Sequence, residues 1–111
     1  MNDCIFCKIL SGEIPTTKVY EDALCFAFLD IEPLAPTHFL VIPKTHIASA
    51  AEISGDMEAV VGHIYGVIAK LCAEKGVTSY RVVTNCGPDA GQTVGHLHFH
   101  VLAGRQLSSF N

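Results

Sequence analysis

Three histidines, His96, His98 and His100, alternate with Leu97, Phe99 and Val101 near the end of the chain. Strict alternation with β-branched and aromatic partners reads as a half-buried strand. Successive side chains of a strand point to opposite faces. The imidazoles then share one face, roughly 7 Å apart, and the apolar residues share the other. Packing supplies no reason to set three imidazoles in alternation, which leaves two chemical readings: a polyhistidine metal face, or a catalytic imidazole with polar helpers. A catalytic zinc needs a third protein ligand and an open position. The upstream stretch Gly87-Pro-Asp-Ala-Gly-Gln-Thr93 favours the second reading, because its small residues let backbone N–H groups approach an anion. A loop of donors beside a nucleophilic imidazole describes a phosphate-handling site.

The run Gly91-Gln-Thr-Val-Gly-His-Leu-His-Phe-His-Val-Leu102 resembles the signature of the histidine triad (HIT) superfamily. The resemblance extends from Cys4 to about Leu107. Within it, Ala35-Pro-Thr-His-Phe-Leu-Val-Ile-Pro-Lys-Thr-His46 and Gly104-Arg-Gln-Leu107 point to the Hint branch, the histidine triad nucleotide-binding proteins. The final Ser108-Ser-Phe-Asn111 departs from branch members that carry a tryptophan-containing tail, since the chain has no Trp.

A chain of 111 residues has room for one domain, spanning 1–111, and one modest core. Half of its residues are hydrophobic and only 16% are charged, so some apolar surface is expected to be buried between subunits. A net charge of −4 argues against a nucleic-acid polymer as partner but leaves mononucleotides open. No apolar run approaches the roughly 20 residues needed to cross a membrane. Met1-Asn-Asp-Cys does not read as a signal peptide. With five cysteines, an odd number, reduced thiols and a cytoplasmic location are expected.

The chain opens with Cys4-Ile-Phe-Cys7, which is read as a redox pair, half a zinc site, or coincidence. No strand precedes it, against the redox reading. His46 and His96 are available as distant partners, and two cysteines with two histidines form a closed tetrahedral structural set. The HIT resemblance implies the same four residues as zinc ligands, although some members lack the cysteines.

Val19 to Glu21 and Leu24 to Leu29 read as a hairpin bending at Asp22, and Thr37 to Ile42 as a strand stopped by Pro43. Asp30 ends a strand beside a loop, where either a turn cap or a binding residue fits. The resemblance implies that Asp30 accepts from both ribose hydroxyls, that Ile31 packs on the base, and that His38 supports the catalytic imidazole. From Ser54 or Gly55 to Lys75, apolar residues follow one helical face and Gly76 is a C-terminal stop. Gly62 and Gly66 leave a smooth groove on that helix. His63 is read as a surface histidine with no role. Tyr80 to Asn85 reads as a strand antiparallel to the histidine strand, with Asn85 facing the loop as a ligand contact or a plain turn residue.

Strands with one long helix and little βα alternation imply an α+β fold with an antiparallel sheet. The resemblance implies five strands, a short N-terminal helix and a homodimer that joins two sheets into one. It also implies hydrolysis of purine nucleoside phosphoramidates to a nucleoside monophosphate and an amine. An ordinary imidazole, with a pKa of about 6.5, is mostly neutral at pH 7 and needs orientation rather than deprotonation to act as nucleophile. His98 is assigned that part, through a nucleotidyl-histidine. His100 and loop donors at Gly91, Gln92 and Thr93 are assigned to phosphoryl charge. The alternatives are dinucleoside polyphosphate hydrolysis, as in the Fhit branch, and a regulatory nucleotide-binding protein with weak activity.

Overall fold

The computed structural model describes residues 3–109. Met1 and Asn2 of the leader expectation, and Phe110 and Asn111 of the tail, lie outside the described residues.

A short helix, α1 (Ile5–Leu10), precedes the hairpin β1 (Lys18–Glu21) and β2 (Cys25–Leu29). Then come β3 (Thr37–Pro43), the long helix α2 (Met57–Glu74), β4 (Tyr80–Val83) and β5 (Phe99–Ala103). The five strands form one antiparallel sheet in the order β1-β2-β3-β5-β4. The architecture is the expected α+β one.

Why β2 and β3 are apolar at nearly every position follows from the two helices. Cys25, Ala27, Phe39 and Val41 face α2, where Val60, Ile64, Val67, Ile68 and Leu71 form the main core with Leu97, Phe99 and Val101. Phe26, Phe28, Leu40 and Ile42 point the other way and pack with Phe6 and Ile9 of α1. Both faces are covered, so alternation disappears from these strands. Complete burial of Phe39, Ile64 or Ile68 stabilises the fold by about 1.5–3 kcal/mol each.

Element ends differ from the expected ones for local reasons. Helix α2 begins at Met57 because Gly55, at φ +56, turns the chain just before it. It stops as expected at Gly76 (φ +72), where Gly76 N–H donates to Ala73 O and Val77 N–H to Cys72 O, the paired bonds of a Schellman ending. Strand β4 stops at Val83, leaving Asn85 in the loop. Strand β5 begins only at Phe99, so His100 alone of the triad lies on a paired strand. Pro43 ends β3 in register with Cys25 and has no N–H with which to extend a ladder. The His96–His98 segment is tied elsewhere, by Leu97 N–H donating to Ile47 O at 2.6 Å. The alternation of faces nevertheless continues through it, since Leu97 joins the α2 core with Phe99 and Val101.

Asp22 does more than bend the hairpin. Its Oδ1 accepts from Leu24 N–H at 2.8 Å and Cys25 N–H at 2.9 Å. Its Oδ2 accepts from the Tyr20 hydroxyl at 2.9 Å and lies 2.6 Å from Nε2 of His63. His63 therefore ties α2 to the hairpin, a role the sequence did not disclose. Burial pushes the Asp22 carboxyl up, but the bonds led by that from His63 prevail and hold it well below the usual carboxylate range. No helix among the described residues is long and apolar enough to cross a membrane.

Candidate active site and metal-ligand cluster

The ring of His98 is fixed on both sides. Its Nδ1 lies 2.7 Å from the carbonyl oxygen of His96. A carbonyl only accepts, so Nδ1 carries the proton and Nε2 keeps its lone pair. Phe6 meets the ring edge-on with centroids 5.0 Å apart, and the Thr84 hydroxyl donates to the His98 carbonyl at 2.8 Å.

The opposite tautomer follows for His100, by way of His38. Leu34 N–H donates to Nδ1 of His38 at 3.0 Å, which leaves the His38 proton on Nε2. That Nε2 lies 2.9 Å from Nδ1 of His100. Nδ1 of His100 is then an acceptor, and its proton sits on Nε2. Burial, and after it the neighbouring His98 and His38, push the His100 pKa down to about 4, so the ring is a neutral donor. Asp30 closes the set: Oδ2 lies 3.3 Å from His38 Nε2, and Oδ1 accepts from Glu32 N–H at 2.8 Å.

His98 and His100 line a cavity of about 410 Å³. One wall is apolar, formed by Ile5, Phe6 and Ile9 of α1 with Ile14, Phe28 and Leu40. Asp30 and Ile31 form the rim opposite, with Gly91, Thr93 and Val94 beside the imidazoles. Ile31 is 90% exposed, an apolar side chain that nothing in the fold covers.

Behind His98 lies a second cluster. Sγ of Cys4 is 3.3 Å from Nδ1 of His96, and Sγ of Cys7 is 3.3 Å from Nδ1 of His46 and 3.5 Å from Nδ1 of His96. The four donor atoms lie within 4.8 Å of one another. Donors on a tetrahedron around zinc, at about 2.3 Å for sulfur and 2.0 Å for nitrogen, stand roughly 3.5 Å apart. The other nitrogen of His96 lies 3.0 Å from Pro43 O and carries the proton, which leaves Nδ1 aimed at the sulfurs. Burial lowers the His96 pKa and so favours the neutral ring a cation requires. The residues present fit a tetrahedral metal.

The structure thus gathers Asp30, Ile31, Gly91, Thr93, His98 and His100 around one cavity, and Cys4, Cys7, His46 and His96 around another point. Two placements differ from the expected ones. Gly91 N–H is bonded to Pro88 O at 3.0 Å and Gln92 N–H to Gly87 O at 3.1 Å, so neither is available to an anion. The Gln92 side chain braces the loop instead, accepting from Gly87 N–H at 2.8 Å and donating to Ala48 O at 2.7 Å. Asn85 sits behind Gly91, whose added Cβ would stand 3.5 Å from the Asn85 amide nitrogen, and it does not line the cavity. His38 stands behind His100, with its Nε2 2.9 Å from His100 Nδ1, and does not line the cavity. Sequence reasoning overlooked Phe6, Thr84 and Leu34. Phe6 and Thr84 act through tertiary contact, and Leu34 through a backbone N–H that its residue type does not reveal.

A profile of the HIT domain matches residues 11–107. The chain is 41% identical over 107 residues to the purine nucleoside phosphoramidase of Escherichia coli, covering 95% of this chain and 90% of that protein. Among solved structures, a histidine triad protein from Clostridium difficile superposes with a TM-score of 0.95 at 51% identity, covering 100% of this chain and 98% of that one. A HIT family hydrolase from Legionella pneumophila superposes at 0.92 with 44% identity and covers 96% of each chain.

Proposed function

We propose a function from one premise: this chain belongs to the HIT domain family. It is a nucleotide-binding hydrolase that cleaves purine nucleoside phosphoramidates at the P–N bond through a covalent nucleotidyl-histidine. The observation that carries this reading is a pair of rings with opposite tautomers facing one cavity. His98 offers a lone pair on Nε2, and His100 offers a proton on Nε2.

In this mechanism His98 Nε2 attacks the phosphorus. The P–N bond breaks with its electron pair going to nitrogen, which takes up a proton from solvent, and the amine departs. The positive charge left on the His98 ring is stabilised by the His96 carbonyl at Nδ1. His100 donates to a phosphoryl oxygen, as an oxyanion donor does. Water then adds to phosphorus and releases a proton to solvent, the bond to His98 breaks with its electron pair returning to Nε2, and the nucleoside monophosphate leaves with the imidazole neutral again. The apolar wall takes the purine, Ile31 covers it, and the Asp30 carboxylate accepts from the ribose hydroxyls.

A structural zinc held by Cys4, Cys7, His46 and His96 supports this site from behind, with α1 and the His96–His98 segment as its two arms. The donors need reduced thiols, in keeping with a cytoplasmic protein. The working unit is a homodimer. Its support is the uncovered face of α2, where Gly62 and Gly66 have open space at their Cβ positions and Tyr65 is 48% exposed, beside the edge strand β4.

Steady-state kinetics on matched adenosine phosphoramidate and diadenosine polyphosphate substrates tests the reading. A phosphoramidate should be the better substrate in kcat/KM. Preference for the polyphosphate would move the protein to the rival activity, and turnover of neither would make it a binding protein.

A further inference from the structure

The turn that follows β5 is built against the loop that carries Asp30, Ile31 and Leu34. Gly104 has φ +101, and a Cβ added there would meet Pro36 Cβ at 2.8 Å, so the two backbones touch only because residue 104 is glycine. The next residue, Arg105, reaches back with Nη2 and donates to Leu34 O at 2.8 Å. The peptide N–H of the same Leu34 fixes the tautomer of His38, and His38 in turn donates to His100. The loop has little else to hold it. Pro33 and Pro36 bring no N–H, and Asp30 contributes its own N–H to His38 O at 3.1 Å and its carboxylate to Glu32.

We infer that Arg105 is a positioning residue for His100, acting through the backbone of Leu34 and the His38 ring. An unbroken series of donors runs from the guanidinium to Leu34 O, from Leu34 N–H to His38 Nδ1, and from His38 Nε2–H to His100 Nδ1. A charge-assisted bond from Arg is stronger than one from a neutral donor and geometrically more selective. It holds the Leu34 backbone in place from its carbonyl side, so that the N–H on the other side of the same residue meets the imidazole. With that bond gone, the loop is free to withdraw Leu34 N–H. His38 Nδ1 then loses its donor, the His38 tautomer rests on the longer 3.3 Å contact of Nε2 with Asp30 Oδ2, and the donor face of His100 is less firmly set. The inference rests on the proposed roles of His100 and the cavity, but its direct readout does not require turnover.

The test compares the wild-type protein with Arg105→Ala, Arg105→Lys and Arg81→Ala. Arg81 is a control from the same surface, since it lines the same cleft as Arg105 and donates to Ser108 O at 2.8 Å rather than to Leu34. Long-range ¹H–¹⁵N spectra of the imidazoles report each ring's tautomer and whether Nδ1 accepts a hydrogen bond. In the wild type and Arg81→Ala, both His38 and His100 should read as single Nε2–H rings with Nδ1 accepting. In Arg105→Ala both should lose the accepting signature at Nδ1, and Arg105→Lys should restore most of it. With an adenosine phosphoramidate, kcat of Arg105→Ala should fall about tenfold, the effect of one bond lost in the transition state, with KM within about twofold. Gly104→Ala, which pushes Pro36 away, should move the same two ring signals. Unchanged imidazole spectra in Arg105→Ala overturn the inference, as does a rise in KM alone, which would make Arg105 a substrate contact. Altered spectra in a series that never hydrolyses a phosphoramidate would uphold Arg105 as a positioning residue and sink the substrate assignment instead.

Discussion

The carbonyl of His96 and the Nδ1–H of His98 stand 2.7 Å apart, so the backbone of one histidine orients the ring of the other. His96 is at the same time the buried member of the four-residue cluster with Cys4, Cys7 and His46. The residue that would hold the metal therefore orients the ring proposed as nucleophile, and the two sites share one residue.

His98→Ala should abolish hydrolysis of an adenosine phosphoramidate, because among the described residues no other ring offers a lone pair to the cavity. His100→Ala should leave measurable turnover, reduced roughly 10²–10³-fold as for one lost oxyanion donor. Rapid quench with phosphorus-labelled substrate should trap an acid-labile, base-stable adduct on His98. Mapping the label to His100, or full activity in His98→Ala, would overturn the assignment.

Protein purified without chelators should contain about one zinc per chain, and Cys4→Ser/Cys7→Ser should contain almost none. Because the four-ligand set is closed, chelation should lower the melting temperature more than it lowers the turnover of protein that stays folded. Equal metal content in the double variant would remove zinc from this cluster.

Acid should destabilise the fold in two steps, each with a definite sign. The His100 pKa is lowered in the native state, so below about 6.5 the unfolded chain takes up a proton that the native ring refuses. Stability present above that pH is lost as pH falls toward about 4. The lowered Asp22 carboxyl contributes stability that is present above the unfolded value of about 3.9 and is lost as pH falls further. Urea titrations from pH 7 to 3 measure the upper step and the onset of the lower one. His63→Ala should remove part of the lower step and leave the upper one. Asp22→Ala should cost about 1–3 kcal/mol at pH 7, since Leu24 N–H and Cys25 N–H lose their acceptor. No change in either variant would make the Asp22–His63 tie ornamental.

Sedimentation equilibrium at micromolar concentration should give about twice the 11.9 kDa chain mass. Gly66→Arg, which puts a long charged side chain on the uncovered face of α2, should shift the protein to monomer without altering its far-ultraviolet circular dichroism. A monomeric wild type that still turns over substrate defeats the dimer proposal.

Much of the fold was legible because its cause is local. The apolar face of α2 repeats with the helical period, Gly76 ends that helix, and Asp22 turns the hairpin, each through residues adjacent in the chain. The triad was legible for the same reason: alternation puts Leu97, Phe99 and Val101 into one core and turns the imidazoles away from it.

What only the tertiary structure decided is how protons and donors are assigned. No local pattern tells that His98 and His100 carry their protons on different nitrogens, because the choice is made by the His96 carbonyl for one ring and by Leu34, 66 positions away from the other, through His38. Nor does residue type show that Gly91 and Gln92 close their N–H groups within the loop, or that His63 meets Asp22 across 41 positions. A side chain's identity limits what it can donate or accept. Which of those capacities is used depends on the groups that folding brings to within about 3 Å of it, and most of these come from elsewhere in the chain.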